Sequence, residues 1–167
     1  MLSTCKRQAT WVLAIVVAAI GMGPTSAQRG TPPTAEREIA ASVTTAKKDG
    51  KSVLLDFGAD WCVDCKVLDR LLKDPSVAPF LEARFHLVRV DLGCVPDFGC
   101  MSGTEIRNED VAAKYGVTDG IPVLVLLGDR GQVIPPPRGV QWWTARGFTA
   151  EQVVTYLKEL AKLPHGV

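Results

Sequence analysis

Residues 53–66 read Val53-Leu54-Leu55-Asp56-Phe57-Gly58-Ala59-Asp60-Trp61-Cys62-Val63-Asp64-Cys65-Lys66, an apolar run broken by one acid and followed closely by two cysteines three positions apart. Ser52 to Phe57 has the Val/Leu-rich pattern of a buried central strand. A helix is predicted from about Cys62 to Lys73, with Val67, Leu68, Leu71 and Leu72 on one face and Asp74-Pro75 as its stop. This order puts Cys62 at a helix N-terminus, where unpaired backbone N–H groups and the helix dipole stabilise a thiolate. Cys65 is set one turn further on, close enough to attack a mixed disulfide formed through Cys62 and release the partner. The pair can therefore cycle between dithiol and disulfide.

On the N-terminal side, Thr34 is read as the cap of a helix with Glu36 and Glu38 in its first turn, running to about Lys48 and ended by Asp49-Gly50. On the C-terminal side, Ser76 to Ala83 reads as a short helical piece and Phe85 to Asp91 as a second strand. Leu92 to Arg107 is rich in Gly and Pro and is read as an inserted loop carrying Cys94 and Cys100. Asn108 is expected to cap a helix reaching about Tyr115 and closed by Gly116. Pro122 to Leu127 reads as a strand, Gly128 to Gly131 as a hairpin turn, and Gln132 to Ile134 as the start of the return strand. Pro135-Pro136-Pro137 must interrupt that strand, because proline cannot donate to a ladder, with pairing expected to resume over Val140 to Arg146. Thr149-Ala150-Glu151-Gln152 is a capping box opening a last helix, with Val153, Val154, Leu157 and Leu160 on its apolar face. The alternation implies a mixed sheet with helices on both faces.

The first residues have the form of a secretory signal. Lys6 and Arg7 give a positive start, Trp11 to Ile20 an apolar stretch, and Thr25-Ser26-Ala27 a small-residue cleavage site. The apolar run is shorter than the roughly 20 residues that span a bilayer. Residues 1–27 are accordingly read as a cleaved signal peptide, 28–33 as a flexible lead-in, and 34–167 as one domain, which places the protein in the periplasm or another exported compartment. Cleavage would leave 17 Lys+Arg against 18 Asp+Glu, a balance that gives no electrostatic footprint for nucleic acid or an anionic membrane. Cys5 would leave with the signal. The remaining four cysteines allow three pairings, and their short separations favour Cys62 with Cys65 and Cys94 with Cys100, the latter as a structural disulfide.

The segment Val53 to Lys66 resembles the active-site region of thioredoxin-like proteins. It looks most like the periplasmic C-terminal domain of the Dsb-type transmembrane thiol reductases. The resemblance continues through Tyr115-Gly116-Val117, Gly120-Ile121-Pro122 and Gly147-Phe148-Thr149-Ala150-Glu151. It implies an α/β thioredoxin fold, a central mixed β-sheet flanked by helices on both faces. It further implies a cis peptide bond before Pro122, with the backbone at Ile121 available to an extended substrate. By the same resemblance, Asp56 matches a buried carboxylate that moves a proton to or from the second cysteine. Arg89 is set against a family lysine near that carboxylate. Arginine keeps its proton, so its implied effect is electrostatic. Trp61, beside Cys62, is read as a partly exposed contact surface. Asp64 departs from the small or apolar residues common between such cysteines, and its charge is expected to oppose the Cys62 thiolate and favour a reductant.

The expected activity is thiol-disulfide exchange with exported protein disulfides or dithiols, as a reductase recharged by a membrane thiol reductant. No cofactor or metal is expected, and the protein is expected to be a monomer. Two other classes compete with this reading. A copper-handling protein would use the thiolates as soft ligands, with His86 or His165 as the available histidines. A redox-inert interaction domain would not need Cys62, Cys65, Asp56, Trp61 and Pro122 together. Trp142 and Trp143 are adjacent, so in a strand one of them faces away from the core and is read as a rim residue.

Overall fold

Strand β1 (Ser52–Gly58) is buried at all seven positions, as its unbroken apolar run requires of a strand covered on both faces. The computed structural model describes residues 35–93, 108–136 and 142–164, with residues 109 and 142–144 described by backbone alone. Beside β1 lies β2 (Phe85–Asp91) in parallel, and on its other side β3 (Val123–Leu127) runs antiparallel. β4 (Val133–Ile134) pairs with β3, giving the order β2-β1-β3-β4. The parallel step from β1 to β2 is made through α2 (Val63–Leu72) and α3 (Ala78–Arg84).

Strand residues alternate between faces, and this sorts the core into two layers. Leu54, Leu124 and Leu126 pack with Leu68, Leu72, Leu81, Val153 and Leu157, the side covered by α2, α3 and α5 (Ala150–Leu160). Val53, Leu55, Phe57, Val125 and Leu127 pack with Ile39, Val111 and Ala112, the side covered by α1 (Ala35–Asp49) and α4 (Glu109–Lys114). Each such side chain contributes about 1.5–3 kcal/mol on leaving water. The alternation also fixes Asp56: sharing the parity of Leu54, it points to the α2 side.

Two expectations change. Over the described residues 142–146 the return strand does not resume, and Trp142–Gly147 forms a 3-10 helix. Pro135 and Pro136 follow directly on the two-residue β4, and the backbone N–H of Arg146 donates to Asp64 Oδ1 at 3.2 Å instead of to a ladder. In a 3-10 helix, strand alternation no longer sets which way Trp142 and Trp143 face. Asn108 occupies the N-cap position of α4, as expected, but its side chain makes no capping bond. Its Nδ2 donates to the Asp91 carbonyl at 2.6 Å, and the residue is buried. The capping box at the start of α5 is formed as read, with Thr149 and Gln152 exchanging hydrogen bonds. Thr34, Cys94, Cys100, Val140, His165 and the segment 1–27 lie outside the described residues.

Candidate functional site

Cys62 is the N-cap of α2, in extended conformation, and its Sγ accepts a hydrogen bond from the Cys65 backbone N–H at 3.1 Å. Capping by a side-chain acceptor satisfies a backbone donor that a helix start leaves unpaired. Here the capping atom is sulfur, so the helix N-terminus stabilises negative charge on that atom. Cys62 and Cys65 are joined as a disulfide with their Cα atoms 5.2 Å apart. Both are largely buried, while their neighbours Trp61 and Val63 are exposed.

Facing the pair is the loop into β3. The Ile121-Pro122 bond is cis, the Ile121 carbonyl oxygen lies 3.8 Å from Cys62 Sγ, and the Ile121 side chain packs against both cysteines and Ala59. The rim on the other side is tied by Trp61, whose indole Nε1 donates to the Gly93 carbonyl at 3.1 Å. The first residue of the insertion, Leu92, donates to the Gly58 carbonyl at 2.9 Å. The described beginning of the insertion thus borders the cysteines.

Beneath α2, Asp56 is buried and its carboxyl is pushed up to about 6, by burial above all. Arg89, its register partner on β2, pulls the value down, Asp69 pushes it up and Lys73 lowers it. The Arg89 guanidinium spans to Asp60 Oδ1 at 3.7 Å and Asp69 Oδ1 at 3.6 Å. Asp69 also accepts from Lys73 Nζ at 2.8 Å. These pairs are partly exposed, so they orient the cluster more than they stabilise it. Gly58 permits the close approach: a Cβ there would lie 3.3 Å from Cys65 Cβ, 3.5 Å from its Sγ and 4.0 Å from Arg89 Nη2.

Three of these residues, Gly58, Asp69 and Arg146, were not singled out in the sequence as site residues. Asp69 was within reach, since four positions after Cys65 is the same helix face. Arg146 was not, because 82 positions separate it from Asp64. His86 lies at the opposite end of β2, opposite Val53, with Nε2 at 2.7 Å from Asp49 Oδ2. Among the described residues no group of three His, Cys, Asp or Glu side chains is arranged to hold a metal ion.

A four-stranded mixed sheet between helical layers, with a Cys-x2-Cys pair opening the helix after the central strand and a cis-proline loop against it, defines a thioredoxin fold with a dithiol site. Residues 34–129 match the family model described as thioredoxin-like, and the chain belongs to that family. It is 43% identical over 60 residues to the thiol:disulfide interchange protein DsbD 1 of Pseudomonas aeruginosa, 35% of this chain and 10% of that protein. With DsbD 2 of the same organism it shares 28% over 142 residues, 78% of this chain and 22% of that protein. A disulphide isomerase from Xylella fastidiosa Temecula1 superposes with a TM-score of 0.64 at 26% identity, covering 77% of this chain and 92% of that one. The chain spans between a tenth and about a fifth of the length of these two curated relatives.

Proposed function

We propose that the protein is an exported thiol-disulfide oxidoreductase that reduces disulfides in other exported proteins. The observation that carries this reading is Cys62 Sγ at the N-cap of α2, bonded to Cys65 and flanked by exposed apolar side chains and the Ile121 carbonyl. In the dithiol form, the Cys62 thiolate attacks one sulfur of a substrate disulfide. A Cys62–substrate bond forms, the substrate S–S bond breaks, and one substrate thiolate leaves. Cys65, losing its proton to the Asp56 carboxylate, then attacks Cys62 Sγ and expels the second substrate thiolate. The substrate gains two electrons and the Cys62–Cys65 disulfide remains, to be reduced by a dithiol donor at the membrane.

Export rests on the signal-like residues 1–27, and the reducing direction on the resemblance to the Dsb-type reductases. Among the described residues no helix is long and apolar enough to cross a membrane. Cys94 and Cys100 are proposed as a structural disulfide in the insertion. Cys65→Ser is expected to accumulate mixed disulfides through Cys62, and Cys62→Ser to accumulate almost none; the reverse pattern would reassign the nucleophile. Equilibration with a glutathione or dithiothreitol couple fixes the direction. A potential near about −270 mV supports a reductase, and one near about −120 mV overturns it in favour of an oxidase.

A further inference from the structure

Asp64 lies between the two cysteines, where an unpaired negative charge would oppose the thiolate. Its carboxylate is not unpaired. Oδ1 accepts from Arg146 Nε at 3.0 Å and from the Arg146 backbone N–H at 3.2 Å. The Asp64 side chain is only 14% exposed, whereas Arg146 is 69% exposed and turns a guanidinium to solvent beside the pair. The contact exists because residues 142–147 form a 3-10 helix packed against α2 instead of a strand. We propose that Arg146 is a positioning residue that holds and neutralises Asp64, so that the acid inside the Cys-x2-Cys segment does not suppress the Cys62 thiolate.

The elements that build the site carry these charged groups. Asp60, Asp64 and Lys66 belong to α2 and its approach, Asp56 and Arg89 to the sheet beneath, Asp119 to the loop before Ile121, and Arg146 to the 3-10 helix. Among the described residues Arg89 pairs with Asp60 and with Asp69, and Arg146 with Asp64. A carboxylate about 8 Å from a second ionising group, at an effective dielectric of about 60, moves it by about half a unit. Removing the guanidinium exposes Cys62 to that influence.

The inference rests on the dithiol chemistry proposed above, and its test reads the thiolate directly. The reduced full chain is titrated by thiolate absorbance and by the pH dependence of Cys62 alkylation. Arg146→Gln keeps the backbone donor and loses the charge; it is expected to raise the pH at which Cys62 ionises by about half a unit, slowing alkylation about threefold below that pH. Arg146→Lys should restore most of the effect. In an Asp64→Asn background, Arg146→Gln should do nothing. The proposal is overturned if Arg146→Gln titrates as the wild type, or if its shift persists without Asp64. Failure of the wild type to reduce any protein disulfide would count against the function and leave this titration intact, so the two failures are separable.

Discussion

Asp56 lies on the strand that leads into the redox pair and Asp64 between its two cysteines, and each is matched with an arginine. Asp56 is carried on β1 under α2, where little water reaches it, and burial outweighs the attraction of Arg89 and drives its carboxyl up to about 6. Asp64 is on the first turn of α2, and Arg146 reaches it through the side chain and the main chain at once. The comparison shows that an arginine nearby does not by itself fix what an acid does. Arg89 stays across the ladder from an acid that burial keeps in the range of proton exchange near neutrality. Arg146 makes direct contact and makes its acid electrostatically quiet.

The sharpest way to break the contrast is Asp56→Asn. Turnover at neutral pH should fall on the order of ten- to a hundredfold, because the group that takes the Cys65 proton is gone. Stability should move the other way. Asp56 ionises at about 6 in the folded chain and near its ordinary value of 3.8 when unfolded. The folded state therefore holds the proton more tightly, and this contribution is complete below about pH 4 and lost as pH rises through about 6. At pH 7.5 the oxidised Asp56→Asn protein should resist denaturant by about 2–3 kcal/mol more than wild type, with the advantage vanishing by pH 4. Equal pH–stability curves would mean that Asp56 is not desolvated.

Arg89→Gln should have an intermediate effect. Since Arg89 lowers the Asp56 value, its loss should move the acidic limb of the pH–turnover profile to higher pH. A limb that stays in place would show that the guanidinium serves Asp60 and Asp69 alone. The smallest effect is expected from Gly58→Ala, whose methyl would press on Cys65 and force shifts of a few tenths of an ångström. Turnover should slow a few-fold and stability drop by about 1 kcal/mol. Wild-type behaviour in both would mean that the space around Cys65 adapts freely.

The two acids also mark how far the sequence could be read. Asp56 and Arg89 were set together by family resemblance; strand parity then puts Asp56 on the α2 side and the parallel ladder puts Arg89 opposite it. The cis bond before Pro122 came from family resemblance, since a lone X-Pro bond favours trans by about 0.5–1 kcal/mol. The Asp64 contact lay beyond both. It depends on Trp142–Gly147 curling into a 3-10 helix, where spacing alone suggested a resumed strand, and on a partner 82 positions away. Asn108 stands at the cap position the sequence suggested, but its amide goes to the carbonyl of the half-buried strand end and not to the helix.

That strand end is Asp91, and it grips both sides of the insertion. Its Oδ1 accepts from the Gly93 N–H at 2.9 Å, and its carbonyl accepts from Asn108 Nδ2. A segment with both attachment points fastened to one residue behaves as an exchangeable cassette. Its closure cost grows only logarithmically with length, about 0.6 kcal/mol for each doubling, so residues 94–107 can be swapped for longer or shorter stretches while the sheet feels little of it. Through the Trp61 indole on the Gly93 carbonyl, any such swap is anchored beside Cys62. Asp91 is thus the one residue to which Gly93, before residues 94–107, and Asn108, after them, are both tied.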